Sequence, residues 1–132
     1  MRRRGRENRL HRLEAAARGS EAEQAVVEYL ISQGCEIVAT NLRIGHLEID
    51  IVAREGPVVL IVEVRTRSAT AWTSAFGSLS QYKRARVRQA GHSLWDRRYR
   101  SDSTVERMRF DAASVSFLEG GGYEVNYARG AF

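Results

Sequence analysis

Two acidic residues on neighbouring predicted strands mark where this chain could do chemistry. The segments His46-Leu47-Glu48-Ile49-Asp50-Ile51 and Ile61-Val62-Glu63-Val64-Arg65 alternate charged with aliphatic or β-branched side chains. That is the pattern of a strand with one apolar and one charged face. Gly56-Pro57 between them is a turn signal, so the two strands are expected to run antiparallel with Asp50 and Glu63 on the same surface of the sheet. Carboxylates crowded on a half-buried strand repel each other and lose hydration, and a divalent cation removes both costs. Asp50 and Glu63 are therefore candidate metal ligands. The plainer reading makes them partners of Arg65 in a structural network of charges.

The elements that must position these residues follow from periodicity. Ala22, Ala25, Val26, Tyr29 and Leu30 fall at helical spacing, which predicts a helix from Ser20 as N-cap to Gln33, with Gly34 ending it. A strand over Glu36 to Thr40 precedes the two acidic strands. Residues 66–79 have neither helical nor strand period and are expected to form a long loop, a candidate functional flap containing Trp72, Phe76 and Gly77. Ser80 can cap a second helix reaching Tyr99, with Val87, Ala90, Gly91, Leu94 and Trp95 inward and its arginines outward. Strands near Arg107 to Phe117 and Tyr123 to Tyr127 flank the turn Glu119-Gly120-Gly121-Gly122. The order is α-β-β-β-α-β-β, which predicts a single α/β domain over residues 19–132, a central mixed sheet flanked by helices, behind a basic extension over residues 1–18.

Composition narrows the class. At 132 residues with 43% hydrophobic side chains, the chain can bury a core and is not disordered. Its one cysteine, Cys35, cannot form an internal disulfide, which suits a reducing cytoplasm and excludes a thiol cluster for zinc. Val58 to Val62 is too short to span a bilayer, so no membrane partner is expected. The N-terminal arginines have no apolar stretch behind them to make a secretory signal, and Glu7 and Glu14 weaken a transit-peptide reading. The net charge of +5 is concentrated in Arg2, Arg3, Arg4, Arg6, Arg9 and Arg12 and in a second group from Lys83 through Arg84, Arg86 and Arg88 to Arg100. Such patches attract polyanions and neutralise phosphates, so nucleic acid, DNA above all, is the expected partner. A solvated tail and a solvated helix face are the bland alternatives.

The residues also carry a family resemblance. Gly19 to Glu23 ahead of Tyr29-Leu30, Asn41-Leu42-Arg43, Glu48-Ile49-Asp50, Val62-Glu63-Val64-Arg65-Thr66-Arg67, Phe76-Gly77, Lys83 and Arg109-Phe110-Asp111 together resemble the YraN-like family of bacterial proteins, from about residue 19 to the end. That family looks like the restriction-endonuclease-like fold of the PD-(D/E)xK nucleases and is similar to archaeal Holliday junction resolvases, which act as dimers. The resemblance implies hydrolysis of phosphodiesters, a homodimer, and Mg²⁺ or Mn²⁺ held by Glu23, Asp50, Glu63 and the carbonyl of Val64. Arg65, Arg67, Lys83, Arg84, Arg86 and Arg88 are, by their charge, the expected phosphate contacts.

The chain departs from that pattern at the water-activating lysine, whose position is taken by Arg65. A guanidinium holds a phosphate in two places but does not release a proton near neutral pH. Of the 21 basic residues the one lysine is Lys83, on the second helix, from which it could orient the attacking water. Leu47 and Ala22 also stand where the family prefers glycine. Each other candidate has a plain reading as well: Glu23 as a capping-box partner of Ser20, Glu48 paired with Arg43 or Arg67, His46 solvated at a strand start, and Trp72, Phe76 and Trp95 as core or loop anchors instead of base-stacking platforms. The leading function is a metal-dependent nuclease acting on DNA, of branched or damaged form. A non-catalytic nucleic-acid-binding module of the same fold and a subunit that docks an acidic protein are the alternatives.

Overall fold

Ala22, Ala25, Val26 and Leu30 recur three and four positions apart, and all four are buried on one stripe of helix α1, residues 20–32. The computed structural model describes residues 20–67 and 80–132. Ser20 is the first described residue of α1, so the start of the helix, where the expected cap would sit, lies at the edge of the described residues. The other end is as expected. Gly34 takes φ +85°, and the amides of Gly34 and Cys35 donate to the carbonyls of Ile31 and Leu30, closing the helix while Cys35 and Leu30 enter the same core.

The chain then forms β1 (Glu36–Ile44), β2 (Leu47–Glu55) and β3 (Val58–Arg67), followed by helix α2 (Gln81–Leu94), β4 (Arg107–Phe117) and β5 (Tyr123–Ala128). One five-stranded mixed sheet results, in the order β1-β2-β3-β4-β5. Neighbours are antiparallel except β3 and β4, which are parallel and joined by the crossover that carries α2. The α/β class, the mixed sheet and the element order are those expected. The strands are longer than the sequence pattern indicated: β1 continues past Thr40 through Asn41-Leu42-Arg43, and β3 runs on through Thr66 and Arg67. Trp72, Phe76, Gly77 and the N-terminal arginines of the basic extension lie outside the described residues.

Strand β3 shows how the layers are arranged. Val58, Leu60 and Val62 enter one core with α1, while Val59 and Ile61 enter the other with Val87, Ala90 and Leu94 of α2. Both faces of a central strand are thus covered, which is why it reads as an almost unbroken apolar run. The Ser80 hydroxyl caps α2 as expected, accepting from the Lys83 amide at 3.1 Å. The helix continues into a π-helical turn over Trp95–Tyr99. Gly91 lets α2 approach the sheet closely: a Cβ there would lie 2.6 Å from the Phe110 ring.

The end of the chain is anchored by Asp111, which is completely buried. Its carboxylate accepts from Arg109 Nε and Nη2 at 2.8 and 2.9 Å, from the Tyr127 hydroxyl at 2.6 Å and from the Gly130 amide at 2.8 Å. Four donors from β4, β5 and the C-terminal segment thereby converge on one charge. No helix among the described residues is long and apolar enough to cross a membrane.

Candidate functional site

Strands β2 and β3 pair from Glu55↔Val58 to Ile51↔Val62 and then part. Asp50 and Glu63 are the first residues beyond that last pair. The side-chain alternation of β2 slips at the same point, because Ile49 and Ile51, two residues apart, lie in opposite cores. Across from this slip, between the pairs Thr40↔Ile51 and Leu42↔Ile49, Asn41 takes φ +49°. Asparagine tolerates that left-handed conformation better than most residues. The opening between the strands is filled by a side chain: Asp50 Oδ2 accepts the backbone N–H of Val64 at 2.9 Å.

Glu63 points to the α2 side of the sheet, where Lys83 Nζ lies 3.2 Å from its Oε1. The Glu63 side chain is only 4% exposed, against 46% for Lys83. Burial first, and then the charge of Asp50, push the Glu63 carboxyl up to about 7, with Lys83 acting in the opposite direction. A hydrogen bond between the two carboxyls adds to the rise. Lys83 therefore offsets only part of the effect of burial and of Asp50.

Glu23 approaches from α1. Its Oε2 accepts from Asn41 Nδ2 at 2.9 Å, and the charges of Asp50 and Glu48 act on it alongside its burial, which raises its pKa. Asn41 was not singled out from sequence, yet it both relieves the kink in β1 and ties Glu23 to the strand facing Asp50. Its one signal was its place in the quoted motif Asn41-Leu42-Arg43, just past the end of the predicted strand.

Among the described residues, no three His, Cys, Asp or Glu side chains are grouped closely enough to hold a metal ion by themselves. The structure therefore joins Asp50, Glu63 and Lys83, and leaves Glu23 bound to Asn41. Val64 enters through its N–H. The donors that do converge are oxygens with surplus negative charge, and Mg²⁺ is commonly held by one or two carboxylates with water completing its shell. The Asp50 and Glu63 pair fits such a cation.

Arg65 shares the Glu63 face of β3 but pairs with neither acid. Its Nε is buried without a hydrogen-bond partner, as is the hydroxyl of Ser114, its register partner on β4. The expected structural network through Arg65 is thus not formed. Glu48 stands opposite Arg43 in the β1 and β2 register. Along α2, Arg84 and Arg86 are half-buried and Arg88 is exposed, while Arg67 ends β3. A cavity of about 210 Å³ opens beside Lys83 and Arg86, bounded by His46, Leu47, Glu48 and Val87.

The profile of the Uncharacterised protein family UPF0102 matches residues 22–115, a span that contains every element of this site. The chain belongs to this family. It is the family to which the YraN-like resemblance in the sequence pointed. A UPF0102 protein of Sorangium cellulosum is 54% identical over 116 residues, 88% of this chain and 81% of the relative. UPF0102 proteins of Anaeromyxobacter sp. and Halorhodospira halophila are 39% and 36% identical, each spanning more than four-fifths of both chains.

Proposed function

We propose that this protein is a metal-dependent nuclease-fold protein that hydrolyses phosphodiesters in DNA, using Mg²⁺ or Mn²⁺ at Asp50 and Glu63. The observation that carries the reading is the contact of two carboxyls at a break in the sheet with the chain's one lysine against them. A structural role explains such an arrangement poorly. Glu63 is buried beside the half-buried Asp50 with its carboxyl pushed up to about 7, a cost that the Asp50–Val64 hydrogen bond and the Lys83 ion pair do not remove and a bound cation would.

When bound, a divalent cation here would supply a more acidic water and positive charge opposite the phosphate. The rest falls to the chain's own groups. Asp50, fixed by the Val64 amide, and Glu63 present oxygens in a set orientation. Lys83, whose Nζ already reaches Glu63, is the amine that orients the attacking water with its N–H groups. Water oxygen bonds to phosphorus and gives its proton to solvent, the P–O bond to the leaving strand breaks, and the leaving oxygen takes up a proton from solvent. Arg65 binds the phosphate and takes no part in moving the proton. The arginines of α2 neutralise flanking phosphates.

The replacement of the motif lysine by Arg65 favours a second reading, a binding module without catalysis. Nicking of duplex, single-stranded and branched DNA separates the two. Hydrolysis that requires Mg²⁺ or Mn²⁺ and is lost in Lys83→Ala is expected. Salt-sensitive binding with no cleavage under either metal would favour the binding module instead.

A further inference from the structure

Tyr82 is the most exposed large apolar side chain among the described residues, at 70%. It sits in the first turn of α2, one residue before Lys83, and so at the lip of the site. Its position is not loose. The Arg86 guanidinium lies 5.5 Å from the ring centroid, and Arg86 Nη1 donates to the Tyr82 hydroxyl at 3.1 Å. Arg86 Nη2 reaches the His46 carbonyl at 3.5 Å, which ties the same guanidinium to the turn between β1 and β2. The ring is thus held by Arg86, which together with Lys83 borders the cavity of about 210 Å³.

Exposed aromatic rings next to phosphate-binding cations are how sequence-tolerant proteins hold single-stranded nucleic acid, because every base has a face to stack. A base inside a continuous duplex is already stacked on both sides and cannot use such a ring. Lys83 and Arg86, which border the same cavity, supply charge complementary to the backbone of that strand. A Tyr and Arg pair four apart on a helix also occurs as simple surface decoration. Decoration does not explain why the guanidinium is shared with His46 at the edge of the cavity.

We infer that Tyr82 is a stacking platform for an unpaired nucleobase, which makes the strand acted on at this site a single-stranded or splayed one. The inference rests on the proposed nucleic-acid function and names its substrate class. Arg86 holds the ring, the ring holds the base, and the adjoining phosphate falls beside Lys83.

The test is binding of the full chain, in EDTA so that nothing is cut, to a labelled single-stranded oligonucleotide and to a fully paired duplex of equal length. Tyr82→Ala should weaken single-strand binding roughly tenfold, within the range measured for base stacking on an aromatic side chain. It should leave duplex binding within about twofold, and Tyr82→Phe should keep the single-strand affinity because the ring remains. Equal losses on both ligands would overturn the platform, since Tyr82 would then act only by steadying Arg86. No loss on either, or no binding of the single strand by the wild type, would overturn it too. Hydrolysis is judged separately: tight single-strand binding that depends on Tyr82 without any Mg²⁺-dependent cutting keeps the platform and removes the nuclease reading. Cutting of paired DNA with an inert Tyr82→Ala does the reverse.

Discussion

Asp50 Oδ2 accepts the backbone N–H of Val64 at 2.9 Å, just beyond the last pair of the β2 and β3 ladder. A side chain here does the work of a strand partner. The carboxylate is consequently fixed next to Glu63, one residue before Val64, at the point where the sheet opens.

Glu63 should make the metal-free protein less stable as pH rises. Its folded carboxyl stands at about 7, above the ordinary 4.5. Below 4.5 both folded and unfolded chains hold the proton, and the stabilising contribution of the neutral form is complete. Between 4.5 and about 7 only the folded chain holds it, so each increment of pH removes stability, by on the order of 3 kcal/mol at most. Urea unfolding at pH 5 and pH 8 should show this fall in the wild type and a much smaller one in Glu63→Gln. Cation binding should show the converse and weaken below about pH 7, where it must expel that proton.

Asp111→Ala should be among the most destabilising single changes in the chain. It strands the Arg109 guanidinium, which is 14% exposed, together with the Tyr127 hydroxyl and the Gly130 amide. Removing one partner of a buried ion pair costs about 3–5 kcal/mol. Tyr127→Phe removes a single donor and should cost about 1 kcal/mol by chemical denaturation. Similar losses for both variants would mean that the Asp111 cluster is not where the C-terminal segment is held.

Gly91→Ala sets two effects against each other. Alanine gains about 1 kcal/mol of helix propensity. The added methyl meets the Phe110 ring at 2.6 Å, and that ring is itself stacked on Phe132 at 5.6 Å, so it cannot retreat freely. Overpacking of this kind costs about 1–3 kcal/mol, so a net loss of about 1 kcal/mol is expected, visible as a lower Tm.

Features governed by near neighbours in the chain were legible in the sequence. Gly34 ends α1, Gly56-Pro57 turns β2 into β3, Ser80 caps α2, and Val87, Ala90 and Leu94 form its inner stripe. The nearness of Asp50 to Glu63 followed from the turn between their strands, although β2 does not keep its alternation at Asp50. The arrival of Lys83 at Glu63 did not, because it depends on how α2 lies across the sheet, and only the family resemblance pointed to it. The slip of β2 at Asp50 left one trace, the adjacent apolar pair Ile51-Val52, which breaks the alternation. Tyr82 was missed because one aromatic residue in a basic helix has no period, and its role depends on Arg86 reaching back to His46.

Titration calorimetry with Mn²⁺ at pH 8, where Glu63 is ionised, tests the central claim most directly. Saturable binding is expected in the wild type and should be lost in Asp50→Ala and in Glu63→Gln, because neither strand makes the site alone. Binding of Mn²⁺ by Asp50→Ala with wild-type affinity would contradict the account.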